Sequence, residues 1–401
     1  MINSLLKLRD WQSSAFDSWK NNNFEGIVSV VTGGGKTIFG IYCFDYLYKN
    51  KQIESVIIVV PTKTLQDQWA SNFKTFLNIS DLEINYNYRK SKKINIIVNA
   101  SAKRINFSFN VTKTFMILDE CHKYGIMTHE HLLSQNYYAK LGLTATLERK
   151  YDDGVNQFLI PNIGKIIYSY GYKEALADNV ISRYELVNIQ TFFNEEEKNN
   201  YDETNEIIKK RAGIIISEKN KEVIDNFYLN ILEEGLKLLL FKRSRIVNNT
   251  EQRIFIAVKI ILDNLKYKKI IFCESIKQAE TIYEICKESG LSTSIYHSKL
   301  SRNSRISNLF RFQNNFSNTL IGCKSLDEGF DVPDINLGII VSQTKSSRQR
   351  IQRLGRTIRK SDGKSKAKIY TLNTTNEERD ILHEEMINNP EIKINWIKPK
   401  K

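Results

Sequence analysis

Short, continuous apolar runs are the feature that most limits how this chain can fold. Five of them lie in the first 170 residues, namely "GIVSVV", "SVIIVV", "INIIVNA", "TFMILDE" and "AKLGLTAT", which begin at 26, 55, 94, 114 and 139. A strand that is apolar on both faces has to be covered on both sides, as happens in parallel sheets flanked by helices. Segments with helical periodicity separate the runs, so the sequence predicts a doubly wound α/β domain.

The same pattern returns in the second half of the chain, which predicts a second parallel sheet. Its runs are "KKIIFCES", "STSIYHS", "NTLIGCKS", "LGIIVSQ" and "AKIYTLN", which begin at 268, 292, 318, 337 and 367. A chain of 401 residues is long enough for two ordinary domains. We predict one domain over 1–172 and a second over 173–401. A charged stretch nearly free of Gly and Pro, from about 194 to 262, predicts a helical insertion in the second domain.

A glycine-rich segment, "TGGGKT" at 32–37, follows the first apolar run directly. A nucleoside triphosphate site needs backbone N–H groups that approach the phosphates, a lysine for the outer phosphates and a hydroxyl for Mg²⁺. The nucleotide-binding residues predicted from this segment are Thr32, Gly33, Gly34, Gly35, Lys36 and Thr37. The strict phosphate-loop pattern has Gly where this chain has Val30, so a flexible turn is the alternative. The order of strand, loop and helix favours the phosphate site.

Two adjacent acids, Asp119 and Glu120, end the fourth apolar run. Ligands bind at the carboxyl ends of strands in open parallel sheets, so this pair is expected beside the glycine-rich loop. In phosphate chemistry Asp119 would hold Mg²⁺ through its water shell, and Glu120 would orient and deprotonate the attacking water. The sequence therefore predicts a nucleoside triphosphate and Mg²⁺ at this site, and the resemblance described below implies that the nucleotide is ATP.

The charge of the chain is strongly basic, with 59 Lys and Arg against 45 Asp and Glu and a formal net charge of +14. An excess of this size indicates a polyanionic partner, most simply nucleic acid. A Lys-rich and Asn-rich composition inherited from an AT-rich genome is the alternative.

The cysteines and histidines indicate no metal site or disulfide framework. Five cysteines are scattered without a C-x-x-C pair, and His122, His129 and His131 lack the Cys or carboxylate spacing that would complete a site. No apolar stretch is long enough for a signal peptide or a membrane span, so we expect a cytoplasmic or nucleoid-associated protein without a membrane partner.

Eight short strings, taken in order, resemble the motif series of superfamily 2 helicases of the DExH type. They are "LRDWQ", "TGGGKT", "VVPTKTLQDQW", "DECH", "LGLTAT", "IIFCES", "SLDEGFDVP" and "RIQRLGRTIR". Within that superfamily the chain is most similar to the XPB-like and restriction-enzyme-translocase branch, because it shares the "VPT..L..QW" and "EG.DVP" strings. It departs from the DEAD-box RNA helicases in having DECH and TAT. The resemblance implies two RecA-like, parallel-sheet P-loop domains in tandem: an ATP-binding helicase domain and a helicase C-terminal domain.

The resemblance also implies nucleotide contacts outside the glycine-rich loop. Arg9 and Gln12 resemble the adenine-reading pair, although an ordinary helix start would use the same residues. Gly329 and Asp331 resemble contacts to the ribose. Further catalytic residues are implied in the last motif, where Gln352 would sense the γ-phosphate and Arg356 and Arg359 would reach it as arginine fingers. The alternative for that motif is a basic helix that binds nucleic acid.

A third group of positions matches the family's nucleic-acid contacts and coupling residues. Thr144 and Thr146 resemble residues that couple hydrolysis to strand contacts, with a buried turn as the alternative. The positions that resemble contacts to the phosphodiester backbone are Thr62, Lys63, Gln68, Ser298 and Ser325. Hydroxyl and amide groups grip phosphate without reading bases, but the same residue types also cap helices.

The function implied by the resemblance is an ATP-dependent translocase or helicase. Hydrolysis in the cleft between the domains would drive movement along a nucleic acid strand, with DNA favoured over RNA. The alternatives are an RNA-directed DExH ATPase and a nucleic-acid-binding clamp whose ATPase has decayed. The expected partners are nucleic acid and a separate nuclease or a repair or defence subunit.

Overall fold

The computed structural model describes residues 7–31, 33–86, 92–103, 110–145, 147, 152–180, 184–221, 225–323, 335–342, 367–380 and 393–398. These residues form two compact units, one that ends at 180 and one that begins at 184. Each unit is built on a sheet of its own.

The elements of the first unit alternate between strands and helices. Its strands are β1 (Glu25–Val30), β2 (Ser55–Val60), β3 (Ile84–Asn85), β4 (Ile94–Val98), β5 (Thr114–Asp119), β6 (Ala139–Thr144) and β7 (Ile166–Tyr170). Its helices are α1 (Asp10–Asn21), α2 (Lys36–Lys49), α3 (Lys63–Leu77), α4 (Asn99–Ala102), α5 (Glu130–Leu133), α6 (Ile160–Ile163) and α7 (Tyr172–Ala177). Short 3-10 segments lie at Asp81–Glu83, Val111–Lys113, Cys121–Lys123 and Met127–His129, and a π-helical turn lies at Val155–Leu159.

The first sheet has the order β3-β4-β2-β5-β6-β1-β7, and each pair of neighbours is parallel. Every residue of β2 and of β5 is buried, as expected for strands covered on both faces. The five strands predicted for this domain are confirmed. The sequence pattern missed the two edge strands, because β3 has two residues and β7 is largely open to solvent.

The second unit repeats this organisation with longer helices. Its strands are β8 (Tyr184–Gln190), β9 (Lys269–Phe272), β10 (Thr293–Tyr296), β11 (Thr319–Gly322), β12 (Leu337–Ile340), β13 (Ala367–Asn373) and β14 (Lys393–Ile397). Its helices are α8 (Glu195–Lys219), α9 (Asn226–Asn248), α10 (Glu251–Asp263), α11 (Ile276–Glu288) and α12 (Arg302–Gln313). The sheet has the order β10-β11-β9-β12-β13-β8-β14 and is parallel throughout its described pairs. The fold class of two parallel-sheet domains is confirmed.

The predicted helical insertion of about 194–262 consists of two different parts. Helices α8 and α9 form a hairpin, in which Lys219 Nζ lies 2.8 Å from Glu233 Oε1. The Asn194 side chain caps α8 by accepting a hydrogen bond from Glu197 N at 2.8 Å. Helix α10, by contrast, buries Ala257 and Ile261 in the core of the second sheet. None of the helices in the described part of the chain, α8 and α9 included, has the length and hydrophobicity to cross a membrane.

Candidate active site

The glycine-rich loop lies between the end of β1 and the start of α2 at Lys36. Gly33 and Gly35 have φ angles of 86° and 108°, in the left-handed region that glycine enters without steric cost. A Cβ atom on Gly34 would lie 2.6 Å from Val30 Cγ1 and 3.0 Å from the Val31 carbonyl oxygen. The loop therefore requires glycine at these three positions, and the packing of Val30 contributes to that requirement at Gly34.

Replacing Gly34 with alanine should weaken ATP binding, because the new methyl group overlaps both the Val30 side chain and the Val31 backbone. We expect a loss of about 1–3 kcal/mol in stability, the usual cost of overpacking. Adding Val30→Ala should recover part of the loss, since it removes the closer of the two contacts. Gly213→Ala in α8 is the matched control, because nothing lies within 4 Å of its Cβ position. Nucleotide titration and thermal unfolding of the variants measure both effects, and wild-type ATP affinity in Gly34→Ala would contradict the expectation.

The predicted phosphate lysine and the predicted base are brought together. Lys36 Nζ donates a hydrogen bond to the Val30 carbonyl at 3.2 Å and lies 3.7 Å from Glu120 Oε1. Both side chains are nearly buried, with 11% and 12% of their surfaces exposed. Thr37 follows as the second residue of α2, at the same end of the helix. Lys36, Thr37 and the Glu120 carboxylate thus lie together where the glycine-rich loop enters α2.

Asp119 is the last residue of β5 and is buried. Its Oδ2 atom accepts a hydrogen bond of 2.8 Å from the indole Nε1 of Trp69 in α3. Burial and the neighbouring Glu120 carboxylate raise the pKa of Asp119 to about 6. A buried carboxylate of this kind gains from a nearby positive charge, so Asp119 fits the role of a ligand for a hard cation.

Glu120 follows the strand in the left-handed conformation, with φ and ψ both 53°. This conformation is uncommon for a residue with a side chain and often marks a functional position. Glu120 Oε2 lies 3.5 Å from His122 Nδ1, and it is buried without a hydrogen-bond partner among the described residues. Leaving such an atom unsatisfied costs about 1–3 kcal/mol. The arrangement fits a carboxylate whose partner is a water or substrate atom.

His122 connects the acid turn to the neighbouring strand. Its Nδ1 atom lies 2.9 Å from Thr144 Oγ1, and both side chains are buried. Thr144 is the last residue of β6, which is the strand next to β5. The sequence assigned Thr144 to coupling and assigned no role to His122, so this contact supplies a direct link between the two motifs.

The opening motif contacts the glycine-rich loop directly. The Arg9 guanidinium donates to the Gly34 carbonyl at 3.0 Å, and Gln12 Nε2 donates to the Gly35 carbonyl at 3.1 Å. Gln12 Oε1 also accepts a hydrogen bond from Arg9 N at 2.9 Å at the start of α1. Both the helix-start interpretation and a position beside the nucleotide site therefore have structural support.

The positions predicted to contact nucleic acid are spread over several elements. Thr62 caps α3, and its Oγ1 accepts a hydrogen bond from Leu65 N at 3.4 Å. Lys63 and Ser298 are exposed, and Gln68 is partly buried on α3. The other predicted site residues lie outside the described residues: Thr32, Thr146, Ser325, Gly329, Asp331, Gln352, Arg356 and Arg359.

Trp69 is a contributor to the site that the sequence interpretation left without a role. It lies in the quoted string "VVPTKTLQDQW", so the signal was present, but its link to Asp119 spans 50 positions. Among the described residues no cluster of three or more His, Cys, Asp or Glu could hold a metal ion.

Two family matches cover most of the motif series. Residues 5–149 match the family described as type III restriction enzyme, res subunit, and residues 252–361 match the helicase conserved C-terminal domain. The chain belongs to the superfamily 2 helicases and translocases. Members of this superfamily hydrolyse ATP, so the chain is an ATP hydrolase of the helicase and translocase type.

Curated relatives of this superfamily 2 chain include proteins of archaea and bacteria. The DNA 3'-5' translocase XPB2 of Sulfurisphaera tokodaii is 28% identical over 375 residues, which cover 90% of this chain and 81% of that protein. A type I restriction enzyme endonuclease subunit of Staphylococcus aureus is 25% identical over 213 residues, 47% of this chain and 23% of the subunit.

Solved helicase structures share the fold of this superfamily 2 chain. Saccharomyces cerevisiae Dbp5 bound to RNA and ADP BeF3 has a TM-score of 0.63 at 14% identity, and the match covers 98% of this chain and 90% of that one. The Pyrococcus furiosus Hef helicase domain has a TM-score of 0.58 at 17% identity, with 96% and 100% covered. The predicted tandem of RecA-like domains is therefore confirmed.

Proposed function

We propose that the chain is an ATP-dependent translocase or helicase that acts on DNA and hydrolyses ATP at the glycine-rich loop. The observation that carries the proposal is the approach of Lys36 Nζ to within 3.7 Å of Glu120 Oε1, beside Asp119 at the strand end. The residues that we propose as the phosphate-binding cation, the base and the metal ligand thus lie at one edge of the first sheet. Such an edge is where ligands bind in parallel α/β domains.

Each residue of this edge has a proposed task. Lys36 binds the outer phosphates, and the backbone N–H groups of Gly33, Gly34 and Gly35 surround the phosphate chain. Glu120 Oε2 is the atom that accepts the proton of the attacking water, since it is buried and has no other described hydrogen-bond partner.

A cation site is proposed at the hydroxyl of Thr37 and the carboxylate of Asp119. Oxygen ligands of this type suit Mg²⁺, and the buried Asp119 with its raised pKa gains from a positive charge. A bound Mg²⁺ would neutralise negative charge on the phosphates during hydrolysis. Trp69 holds the Asp119 carboxylate in place through its Oδ2 atom.

The remaining nucleotide contacts are proposed from the family resemblance. Arg9 and Gln12 would bind adenine, and their contacts with the loop carbonyls at 3.0 and 3.1 Å support a position close to the nucleotide. The contacts proposed for the second domain are Gly329, Asp331, Gln352, Arg356 and Arg359. The domain limits predicted from sequence were 1–172 and 173–401, and we propose a boundary slightly later, between 180 and 184, because α7 belongs to the first compact unit.

DNA is proposed as the substrate because a relative named a DNA translocase matches more of the chain than an RNA helicase relative does. The relative named a DNA translocase matches 90% of the chain, whereas an RNA helicase relative, HAS1 of Phaeosphaeria nodorum, matches 32%. The net charge of +14 supports a nucleic acid partner of either kind. A clamp with a decayed ATPase has less support, because Lys36, Asp119 and Glu120 are all in place.

Nucleic-acid contacts are proposed at Thr62, Lys63, Gln68, Ser298 and Ser325, with Thr144 and Thr146 coupling them to hydrolysis. The described contact between Thr144 and His122 supports such coupling, because it joins the strand end to the acid turn. The restriction-subunit relatives support a further proposal, that a nuclease or a repair or defence subunit acts together with this chain.

The increase in ATPase rate on adding nucleic acid tests whether DNA or RNA is the substrate. We expect DNA to raise the ATPase rate more than RNA of matched length at the same salt concentration. Single-stranded, duplex and branched DNA should be compared with RNA, and the basal rate of each preparation is the control. Stimulation by RNA alone would contradict the DNA assignment and leave the ATPase assignment in place.

The salt dependence of DNA affinity tests whether the protein binds mainly to the phosphate backbone. Binding that depends on phosphates releases counterions, so log affinity should fall linearly with log salt concentration and change little with base sequence. Fluorescence anisotropy with two unrelated DNA sequences over a salt series measures both. A flat salt response, or a strong preference for one sequence, would argue against movement along the backbone.

A further inference from the structure

A buried arginine in the second unit, Arg253, ties together the ends of two strands. It lies in the first turn of α10 and is fully buried. Its Nη1 atom donates to the Val341 carbonyl at 3.0 Å, and its Nε atom donates to Thr374 Oγ1 at 2.9 Å. Its Nη2 atom donates to both carboxylate oxygens of Glu378, at 2.8 and 2.6 Å. Every nitrogen of the guanidinium thus has a partner.

The two strand ends lie at the same edge of the second sheet. Val341 follows the last residue of β12, and Thr374 follows the last residue of β13, the parallel neighbour of β12. Glu378 strengthens the connection because its Oε2 atom accepts hydrogen bonds from Thr374 N at 2.7 Å and Thr375 N at 3.2 Å. Arg253 and Glu378 therefore fix both strand exits relative to α10.

The exit of β12 matters because the chain runs from it towards the motif "RIQRLGRTIR" at 350–359. The residue after Val341 is held as well, since Ser342 Oγ lies 2.9 Å from the Asn248 carbonyl and 2.8 Å from Gln278 Oε1. Gln278 Nε2 donates to the same Asn248 carbonyl at 2.6 Å. Val341 and Ser342, the described residues that follow β12, are thus anchored to the end of α9 and to the first turns of α10 and α11.

Stability alone is a weak reason for such a buried ion pair. Removing two charges from water is costly, and apolar residues of similar volume often stabilise a protein as well as a buried pair does. An arginine fork, however, can direct several hydrogen bonds in fixed directions at once. The geometry of Arg253 uses this property, because its three partners lie at two separate strand exits, Val341 after β12 and Thr374 with Glu378 after β13.

We propose that Arg253, held by Glu378, is a positioning residue for ATP hydrolysis that fixes the point at which the chain leading to the arginine motif leaves β12. The proposal rests on the proposed function, in which Arg356 and Arg359 act on the γ-phosphate. Misplacement of a catalytic group by about 1 Å can reduce a rate on the order of a hundredfold, so a loosened exit from β12 is enough to impair turnover. ATP binding at the glycine-rich loop does not use this contact.

The first test replaces the pair with apolar residues, as Arg253→Met with Glu378→Met. We expect a folded protein with a lowered unfolding temperature, because the Val341 carbonyl and the Thr374 and Thr375 N–H groups lose their partners. The KM for ATP should be unchanged, and the DNA-stimulated kcat should fall about tenfold or more. The control is Lys219→Met with Glu233→Met, which removes an ion pair of the α8–α9 hairpin and should leave kcat unchanged. A folded Met/Met variant with wild-type kcat would overturn the proposal.

The second test keeps the positive charge at position 253 and removes the planar guanidinium group with its several hydrogen-bond donors. Arg253→Lys retains a cation beside Glu378, so it should fold even if the Met/Met variant does not, and kcat should again fall without a change in KM. In the Arg356→Ala background, Arg253→Lys should cause little further loss, because the two residues act through the same step. Two outcomes would overturn the proposal: losses of kcat from Arg253→Lys and Arg356→Ala that add fully in the double variant, or a wild-type kcat in Arg253→Lys. A wild-type protein without ATPase activity would overturn the proposed function as well, and it is recognised before any variant is made.

Discussion

Lys36→Ala should abolish ATP turnover and weaken ATP binding while the fold stays intact. The Lys36 ammonium is the cation at the glycine-rich loop, 3.2 Å from the Val30 carbonyl and 3.7 Å from Glu120 Oε1. Without it, the phosphates would face the carboxylates of Asp119 and Glu120 with one positive charge fewer. Removing a single preorganised group that stabilises transition-state charge costs on the order of a hundredfold to a thousandfold in rate.

The measurement for Lys36→Ala combines phosphate release, titration with a fluorescent ATP analogue, and thermal unfolding. Lys49→Ala is the matched control, because Lys49 ends the same helix and 41% of its side chain is exposed. Its partner Asp45 is buried, so thermal unfolding of this variant is measured beside its ATPase rate. That variant should hydrolyse ATP at the wild-type rate. Hydrolysis at the wild-type rate by Lys36→Ala would remove the central claim about the site.

The nucleotide loop and the acid pair were predictable from sequence because both depend on local rules. A loop between a buried strand and a helix needs glycine where φ is positive, and Gly33 and Gly35 have this conformation. Residues that end parallel strands meet at one edge of the sheet, which brings Asp119 towards the loop that follows β1. The strands that lie in continuous apolar runs were predicted in both sheets, whereas β8, an interior strand of the second sheet, was missed.

The contacts that complete the site were not predictable, since they join side chains far apart in the chain. Trp69 and Asp119 are 50 positions apart, Arg9 and Gly34 are 25 apart, and His122 and Thr144 are 22 apart. Such pairs depend on which strands become neighbours and on side-chain direction, and hydrophobic periodicity specifies neither. The edge strands were not predicted for a related reason, because a strand such as β7 has no continuous buried run.

The second unit shows the same division between what a motif predicts and what packing adds. The last motif, with Arg356 and Arg359, was assigned by resemblance, and its roles stay predictions. The buried contacts of Arg253 with Val341 and Glu378 span 88 and 125 positions, so no local pattern indicates them. A motif series therefore locates the reacting groups and leaves out the residues that hold them in place.

Glu120→Gln should stop hydrolysis and preserve the bound state. The amide has the size of the carboxylate, so it can occupy the same left-handed position after β5, but it cannot accept the proton of the attacking water. We expect the rate to fall about a hundredfold to ten-thousandfold, the usual contribution of a general base. ATP should still bind because Lys36, the loop backbone, Thr37 and Asp119 are unchanged. A protein that binds ATP without hydrolysing it should also remain longer on DNA.

Asp119→Asn is the matched comparison for Glu120→Gln, since it makes the same chemical change one residue earlier. It should weaken Mg²⁺-dependent ATP binding, because Asp119 is the proposed cation ligand, whereas Glu120→Gln should leave that binding close to wild type. ATP titrations with and without Mg²⁺, single-turnover hydrolysis, and DNA dissociation rates distinguish the two residues. Equal loss of ATP binding in both variants would show that Glu120 acts as a ligand and not as the base, and the orphaned Glu120 Oε2 atom would then belong to the cation site.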